Sequence, residues 1–199
     1  VVSCQHGAEK SLKKLDAEIR EKVLRSALRL LPPDEDTKIL INPSGKFVCG
    51  GFDADTGLTG RKLMVDTYGS MVPHGGGAFS GKDCSKVDRS AAYMARYIAK
   101  NIVAAVFASK CQVSLAYAIG VAQPVMVQVD TFGTGNVCAD DCLELAIPLV
   151  FGLTPKQIVD TLRLTRPIFR QTAAFGHFGR KEFPWERTDK VEALRNAVI

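Results

Sequence analysis

The sequence has no uninterrupted apolar run of the roughly 18 residues that a membrane-spanning helix needs. Its first residues, Val1 to Ser3, are not followed by the apolar region typical of a secretion signal. We therefore expect a cytoplasmic protein with no membrane partner.

Patterns typical of metal sites and disulfide scaffolds are also missing. The six cysteines include no Cys-x-x-Cys pair, and only three histidines are present to complete a metal site with them. Free buried thiols are the simplest interpretation.

The net charge is small for a protein that binds nucleic acid. Lysine and arginine number 26 against 21 aspartates and glutamates, a net charge of +5 that is spread along the chain. A nucleic-acid binder would gather its basic residues into one stripe with interleaved aromatics. The balance suits a small anionic ligand, and 46% apolar residues allow a globular core.

Hydrophobic periodicity predicts helices and strands in irregular order. Helices are expected over 11–31, 85–108, 138–151, 154–164 and from about 188, and strands over 38–41, 46–49, 63–68, 112–120 and 125–132. Because the two types do not alternate strictly, we predict an α+β fold with mixed or antiparallel sheets, each covered by helices on one face.

A glycine-rich loop stands out within 69–83. Residues 76–83 satisfy seven positions of the phosphate-loop pattern G-x-x-x-x-G-K-[ST], but Asp83 replaces the hydroxyl that binds magnesium. The glycines and Lys82 favour an anion here. A flexible loop with a solvated lysine remains the alternative.

Charged residues near this loop allow two interpretations each. Arg61 and Lys62 precede a predicted strand, where alternation leaves one of them as a solvated surface charge. Lys86 lies at the start of a helix, where a cation needs an anionic partner. Asp55 can hold a ligand or cap a turn, and Phe47 can stack on a base or pack in a core.

Several longer motifs resemble the S-adenosylmethionine synthetase family, also called methionine adenosyltransferases. The glycine-rich stretch, His-Gly-Gly-Gly-Ala-Phe-Ser-Gly-Lys-Asp, is similar to the signature of that family. The matching segments are 57–62, 65–69, 74–83, 86–93, 117–122, 131–134 and 176–180.

The resemblance implies a reaction that needs no protein nucleophile. The sulfur of L-methionine attacks C5′ of ATP and expels the triphosphate, which is then hydrolysed to pyrophosphate and phosphate. Magnesium and potassium are the implied ions. Catalysis would come from alignment of the reacting atoms and from fixed positive charge at the leaving group.

The resemblance also implies residues for adenosine and methionine. Lys46 and Phe47 would lie at the adenosine of ATP, with Phe47 packing on the adenine. Asp55 would contact both the nucleotide and the methionine amino group. Lys86 would meet the methionine carboxylate or the polyphosphate across a subunit interface.

A second set is implied for the triphosphate of ATP. Arg61, Lys62 and Lys82 would contact its phosphates, and Ala78 would do so through its main chain. Of these, Lys82 and Arg61 would be the catalytic cations. Asp88 would be a magnesium ligand.

The sequence departs from the family pattern in two places. Lys46 replaces the usual arginine and loses its planar fork. Residues 52–54, Phe-Asp-Ala, replace a turn that usually contains proline and glycine.

The chain resembles only the later half of the family's longer members. We expect 1–48 to be the tail of a middle domain, 49–188 the carboxy-terminal domain and 189–199 a terminal helix. A homodimer or higher oligomer, or a separate chain or segment carrying the amino-terminal half, would complete the enzyme.

Two other functions stay open. The chain could be a non-catalytic subunit or fragment that binds a complete synthetase. It could also be a phosphate-loop nucleotidase, which Asp83 argues against.

Overall fold

The computed structural model describes residues 1–198, which form two compact units divided between Leu58 and Thr59. Ile199, the last residue of the predicted terminal helix, lies outside the described residues. Helices and a small antiparallel sheet make up the fold, which confirms the α+β prediction.

The first unit contains the helix that the apolar stripe predicts. It runs as α1 (Leu12–Ile19), a π-helical turn (Arg20–Leu24) and α2 (Arg25–Ala27). Ser11 caps its start by accepting a hydrogen bond from the Lys14 N–H. The helix ends at Ala27, a few residues before the predicted end.

The two strands predicted over 38–41 and 46–49 do not pair with each other, and that prediction is wrong. Their backbones bond instead to the first residues of the chain: Val2 N donates to Leu40 O over 2.8 Å, and His6 N to Phe47 O over 3.0 Å. The turn between them is closed by a hydrogen bond from Gly45 N to Asn42 O over 2.9 Å. The partner is some 40 residues away in sequence, so local alternation could not reveal it.

The second unit begins with the short helix α3 (Leu63–Asp66) and the long helix α4 (Val87–Ala104). Strands β1 (Gln112–Ala116) and β2 (Met126–Asp130) follow as an antiparallel pair with Val113 opposite Val129. They lie within the predicted ranges 112–120 and 125–132 but are shorter. The later elements are α5 (Asp140–Val150), α6 (Pro155–Leu162), α7 (Val191–Val198) and 3-10 turns at Phe169–Ala173 and Pro184–Glu186.

Helix α4 is the centre of this unit. One face carries the fully buried side chains of Tyr93, Tyr97 and Ile102. Helix α4 packs against β1, α6, α7 and the turn Pro184–Glu186. Other core members include Val129, Leu143, Ile147, Ile158, Leu162, Phe183, Trp185 and Leu194. Helix α4 is therefore packed on several sides.

The strand predicted over 63–68 is wrong, because these residues form the single helical turn α3. A short apolar run does not distinguish a strand from a helical turn. The Thr67 hydroxyl donates to Leu63 O over 2.8 Å, and Asp66 N donates to Lys62 O over 2.9 Å. These local bonds leave Asp66 O to accept the His177 N–H over 2.9 Å.

Helix α6 begins with a complete capping box. The Thr154 hydroxyl accepts from Gln157 N while the Gln157 side chain accepts from Thr154 N, and Pro155 occupies the first helical position.

We expect Thr154→Ala to lower the free energy of unfolding by about 1 kcal/mol, because an N–H at the helix start loses its acceptor. Chemical denaturation would measure this loss. Thr154→Ser, which keeps the hydroxyl, is the control and should lose much less.

Within the described residues, no one helix has the length and hydropathy of a membrane span, and only α5 and α6 together, bent by 77°, reach them by length and composition alone.

Candidate functional site

The glycine-rich loop requires glycine at a point of close approach. A Cβ on Gly77 would lie 2.5 Å from Cγ of Asp88, so only a glycine lets the loop pass over the start of α4. Gly76 and Gly81 have φ of +89° and +90°, conformations that L side chains rarely adopt. The loop is therefore shaped by its glycines rather than merely flexible.

Lys82 is held in place at the end of this loop. Its Nζ donates to Ala78 O over 2.8 Å and lies 3.0 Å from Oδ2 of Asp88. A lysine ammonium has three N–H donors, so one donor remains after these two contacts. The main-chain N–H of Ala78 also donates no hydrogen bond within residues 59–198. Both donors are suited to an anion.

Ser85 and Asp88 have the spacing of a capping box, but the structure does not form one. Lys86 occupies the N-cap position of α4 without a side-chain capping bond, and the Ser85 hydroxyl donates to Asp83. Asp88 pairs with Lys82. Other partners nearby in sequence therefore replace the capping contacts.

Arg61 and Lys62 are brought to the glycine-rich loop by Gly60. A Cβ on Gly60 would lie 2.6 Å from Cβ of Ala78, so the two segments touch there. Both cations are exposed. Lys62 Nζ donates to Arg61 O over 3.3 Å, and the Arg61 guanidinium has no hydrogen bond or ion pair within residues 59–198.

Lys86 follows the glycine-rich loop and is more exposed than Lys82. Its Nζ lies 3.7 Å from a carboxylate oxygen of Asp83 and donates to the Ser85 hydroxyl over 3.2 Å. More than half of its side chain is exposed. Such an ion pair is weak, so the ammonium can exchange it for a ligand.

The other three predicted residues belong to the first unit. Lys46 Nζ donates to Ala8 O over 2.8 Å, and Phe47 N donates to Nε2 of His6 over 3.2 Å. Phe47 is half-buried and Asp55 is exposed. Their predicted contacts with adenosine and methionine stay predictions.

A series of buried polar side chains connects helix α4 with the glycine-rich loop. Arg89 Nε donates to the Tyr93 hydroxyl over 3.0 Å, and that hydroxyl lies 2.7 Å from His177 Nδ1. His177 Nε2 lies 3.3 Å from Ser80 Oγ, so the chain of polar groups reaches the glycine-rich loop.

His177 is neutral in this network. Burial and the nearby Arg89 charge lower the pKa of His177 to about 4. Neither His177 nor Arg89 is among the predicted site residues. Both depend on partners more than 80 residues away, which no local pattern shows.

Residues 1–198 contain no group of three or more His, Cys, Asp or Glu side chains that could hold a metal ion. The one predicted ligand, Asp88, is already engaged by Lys82. The described residues therefore do not fit a complete magnesium site.

Residues 49–187 match the family described as "S-adenosylmethionine synthetase, C-terminal domain". The chain belongs to the S-adenosylmethionine synthetase family. It is similar over its whole length to the S-adenosylmethionine synthase of Streptococcus thermophilus, at 57% identity, covering 50% of that relative. The synthase of Treponema denticola is 66% identical, and that match covers 82% of this chain and 42% of the relative.

A solved structure of the S-adenosylmethionine synthetase family shares the fold. It is the structure of an unusual S-adenosylmethionine synthetase from Campylobacter jejuni, with a TM-score of 0.84 and 43% identity. The match covers 98% of this chain and 52% of the other. The chain thus spans about half the length of the relatives it matches. The domain boundaries predicted at 48 and 188 stay predictions.

Proposed function

We propose that this chain is the carboxy-terminal part of a methionine adenosyltransferase, which forms S-adenosylmethionine from ATP and L-methionine and releases phosphate and pyrophosphate. Membership of the family supports this reaction class. Within it, the chain supplies the contacts to the triphosphate.

The observation that carries the proposal is the placement of Lys82. Its ammonium is fixed by Ala78 O and Asp88 and keeps one donor free beside a glycine-shaped loop. Arg61 has no competing partner within residues 59–198, and Gly60 brings its segment against Ala78. A fixed cation with spare donors binds a phosphate oxygen without reorganising, so little is lost on binding.

The reaction requires positive charge at the leaving group. As the methionine sulfur forms its bond to C5′, the bond from C5′ to the triphosphate oxygen breaks and negative charge grows on that oxygen. Lys82 and Arg61 stabilise the growing charge and act as the catalytic cations. Lys62 and the Ala78 N–H hold the remaining phosphate oxygens, which keeps the leaving group in line with the attack.

Other residues are assigned to the adenosine of ATP and to methionine. Lys46 and Phe47 bind the adenosine of ATP, and Asp55 binds the nucleotide and the methionine amino group. Lys86 meets the methionine carboxylate or the polyphosphate, since its weak ion pair with Asp83 leaves the ammonium available.

The family generally uses Mg²⁺ and K⁺. A divalent ion would neutralise triphosphate charge when bound. The described residues contain no group of three or more possible ligands, so Asp88 would be one ligand of a site that other residues complete. None of the roles above depends on a metal ion held by this chain. We propose that an oligomer, or the segment that makes up the other half of the relatives, completes the site.

Binding of tripolyphosphate to the purified chain tests the assignment of Lys82. Lys82→Ala should weaken it by about 1.5 to 3 kcal/mol, because a charge-assisted hydrogen bond is lost. Titration calorimetry measures the change. The matched control is Lys156→Ala, which removes a lysine 85% exposed on α6 and should leave binding unchanged. Equal affinities for Lys82→Ala and the unaltered chain would contradict the proposal.

A further inference from the structure

Arg89 is a buried cation, 3% exposed. Within residues 59–198 no carboxylate forms an ion pair with it. Its three hydrogen bonds go to neutral acceptors: Lys82 O over 2.6 Å, the Tyr93 hydroxyl over 3.0 Å and the Thr172 hydroxyl over 2.9 Å. A buried charge is costly unless it is paired, so this arrangement calls for an anion.

A cavity of about 550 Å³ lies beside this arginine. Among the described residues that line it, none is acidic. The Phe169 ring covers one face of the Arg89 guanidinium, with its centre 3.6 Å from Cζ. A guanidinium carries five N–H donors, and three are donated to the neutral acceptors, which leaves two for a ligand. The remaining lining residues are Thr59, Ser80, Gly81 and Ala173.

The Ser80 hydroxyl is a second donor group on the cavity wall. Its Oγ lies 3.3 Å from His177 Nε2, and in the Nε2–H tautomer it accepts there and keeps its own proton for a ligand. The space next to it is open, since a Cβ added to Gly81 would meet no atom within 4 Å. Donors of both a charged and a neutral group therefore border the same empty volume.

We propose that this cavity binds a free oxyanion of the phosphate class, held by Arg89 and Ser80. The donors match phosphate oxygens, and the planar guanidinium favours a ligand that accepts two parallel hydrogen bonds. An apolar ligand would leave the buried charge unpaired. The same chemistry could be supplied by an acidic side chain from another protein segment, and the experiment separates the two sources.

The test is a titration of the purified chain with inorganic phosphate. Binding is detected by the change in the midpoint of thermal unfolding and by phosphorus NMR. Lys82→Ala serves as the background, because it removes the ammonium that the proposed function assigns to polyphosphate. In that background phosphate should still bind and raise the midpoint.

A matched pair of variants then probes the cavity. Ala173 is exposed and lines it, so a larger side chain can be placed there without disturbing the core. Ala173→Glu puts a carboxylate within reach of Arg89 and should weaken phosphate binding by about tenfold or more. It should also unfold at a higher temperature than Ala173→Gln when phosphate is absent. Ala173→Gln has the same size and no charge, and should bind phosphate far more tightly than Ala173→Glu.

Two results would overturn the proposal. If Lys82→Ala alone abolishes phosphate binding, the only anion site is the one at Lys82, and the proposed function stands without this cavity. If no variant binds phosphate and Ala173→Glu is still more stable than Ala173→Gln, the cavity takes a carboxylate side chain rather than a free oxyanion. Loss of tripolyphosphate binding at Lys82 has no bearing on either result.

Discussion

Replacing Trp185 with alanine is expected to lower the free energy of unfolding by about 3 to 5 kcal/mol. Trp185 is fully buried and stacks on Tyr93, with ring centres 3.7 Å apart, and on Phe183 at 4.8 Å. Its Nε1 donates to His177 O over 2.8 Å. The substitution opens a cavity and leaves that carbonyl without its donor, so two costs add.

Urea denaturation measures this loss, and Phe175→Ala is the control. Phe175 is also aromatic but is 97% exposed, so its removal should change stability by no more than about 0.5 kcal/mol. A loss below about 1 kcal/mol for Trp185→Ala would mean that Trp185 does not lie in a closely packed core.

Stability should also fall as the pH drops from 6.5 toward 4, because of His177. Burial and the Arg89 charge lower the pKa of His177 to about 4, against 6.5 for an exposed histidine. The unfolded chain therefore takes up a proton in this window that the folded chain refuses, and protonation favours unfolding. At about 1.4 kcal/mol for each pKa unit, the loss approaches about 3 kcal/mol at pH 4.

Above pH 4.5, the loss of stability caused by His177 is separated from the titration of the buried Glu186 carboxylate. The pKa of Glu186 lies below its ordinary value of 4.5, since hydrogen bonds from Arg96, Gly179 N and Lys100 outweigh its burial. Its stabilisation is therefore lost only below that pH.

Denaturation at several pH values gives the profile. His177→Gln cannot titrate, so its stability should be lower at pH 7 but should decline much less between pH 6.5 and 4.5. A decline as steep as that of the unaltered chain would show that another group is responsible.

The sequence predicted elements whose stabilising contacts are local. Helix α6 has its cap, its proline and its apolar stripe within ten residues, and the β1–β2 hairpin has matching alternation on both sides of a turn. The strands predicted over 38–41 and 46–49 failed because their backbone partners lie in residues 2–6. The strand predicted over 63–68 failed because a short apolar run is also compatible with a helical turn, which α3 forms.

The candidate site was predictable to a similar extent. The glycine pattern and Lys82 are contiguous in sequence, and the structure brings Arg61 and Lys62 to them through the contact between Gly60 and Ala78. Arg89 could not be found in this way. Its burial depends on Thr172 and Phe169, which are distant along the chain.

The central claim is that this chain supplies a working triphosphate site to a methionine adenosyltransferase. The most direct test is a chimera in which the chain replaces the matching half of the Streptococcus thermophilus synthase, 57% identical over the whole chain. Formation of S-adenosylmethionine from ATP and L-methionine is measured for the chimera and for its Lys82→Ala and Lys156→Ala variants.

We expect an active chimera whose kcat falls by about 100- to 1000-fold in Lys82→Ala, as when one donor to a developing anion is removed. Lys156→Ala should leave kcat unchanged. A Lys82→Ala chimera as active as its parent, or a folded chimera that makes no S-adenosylmethionine, would contradict the claim.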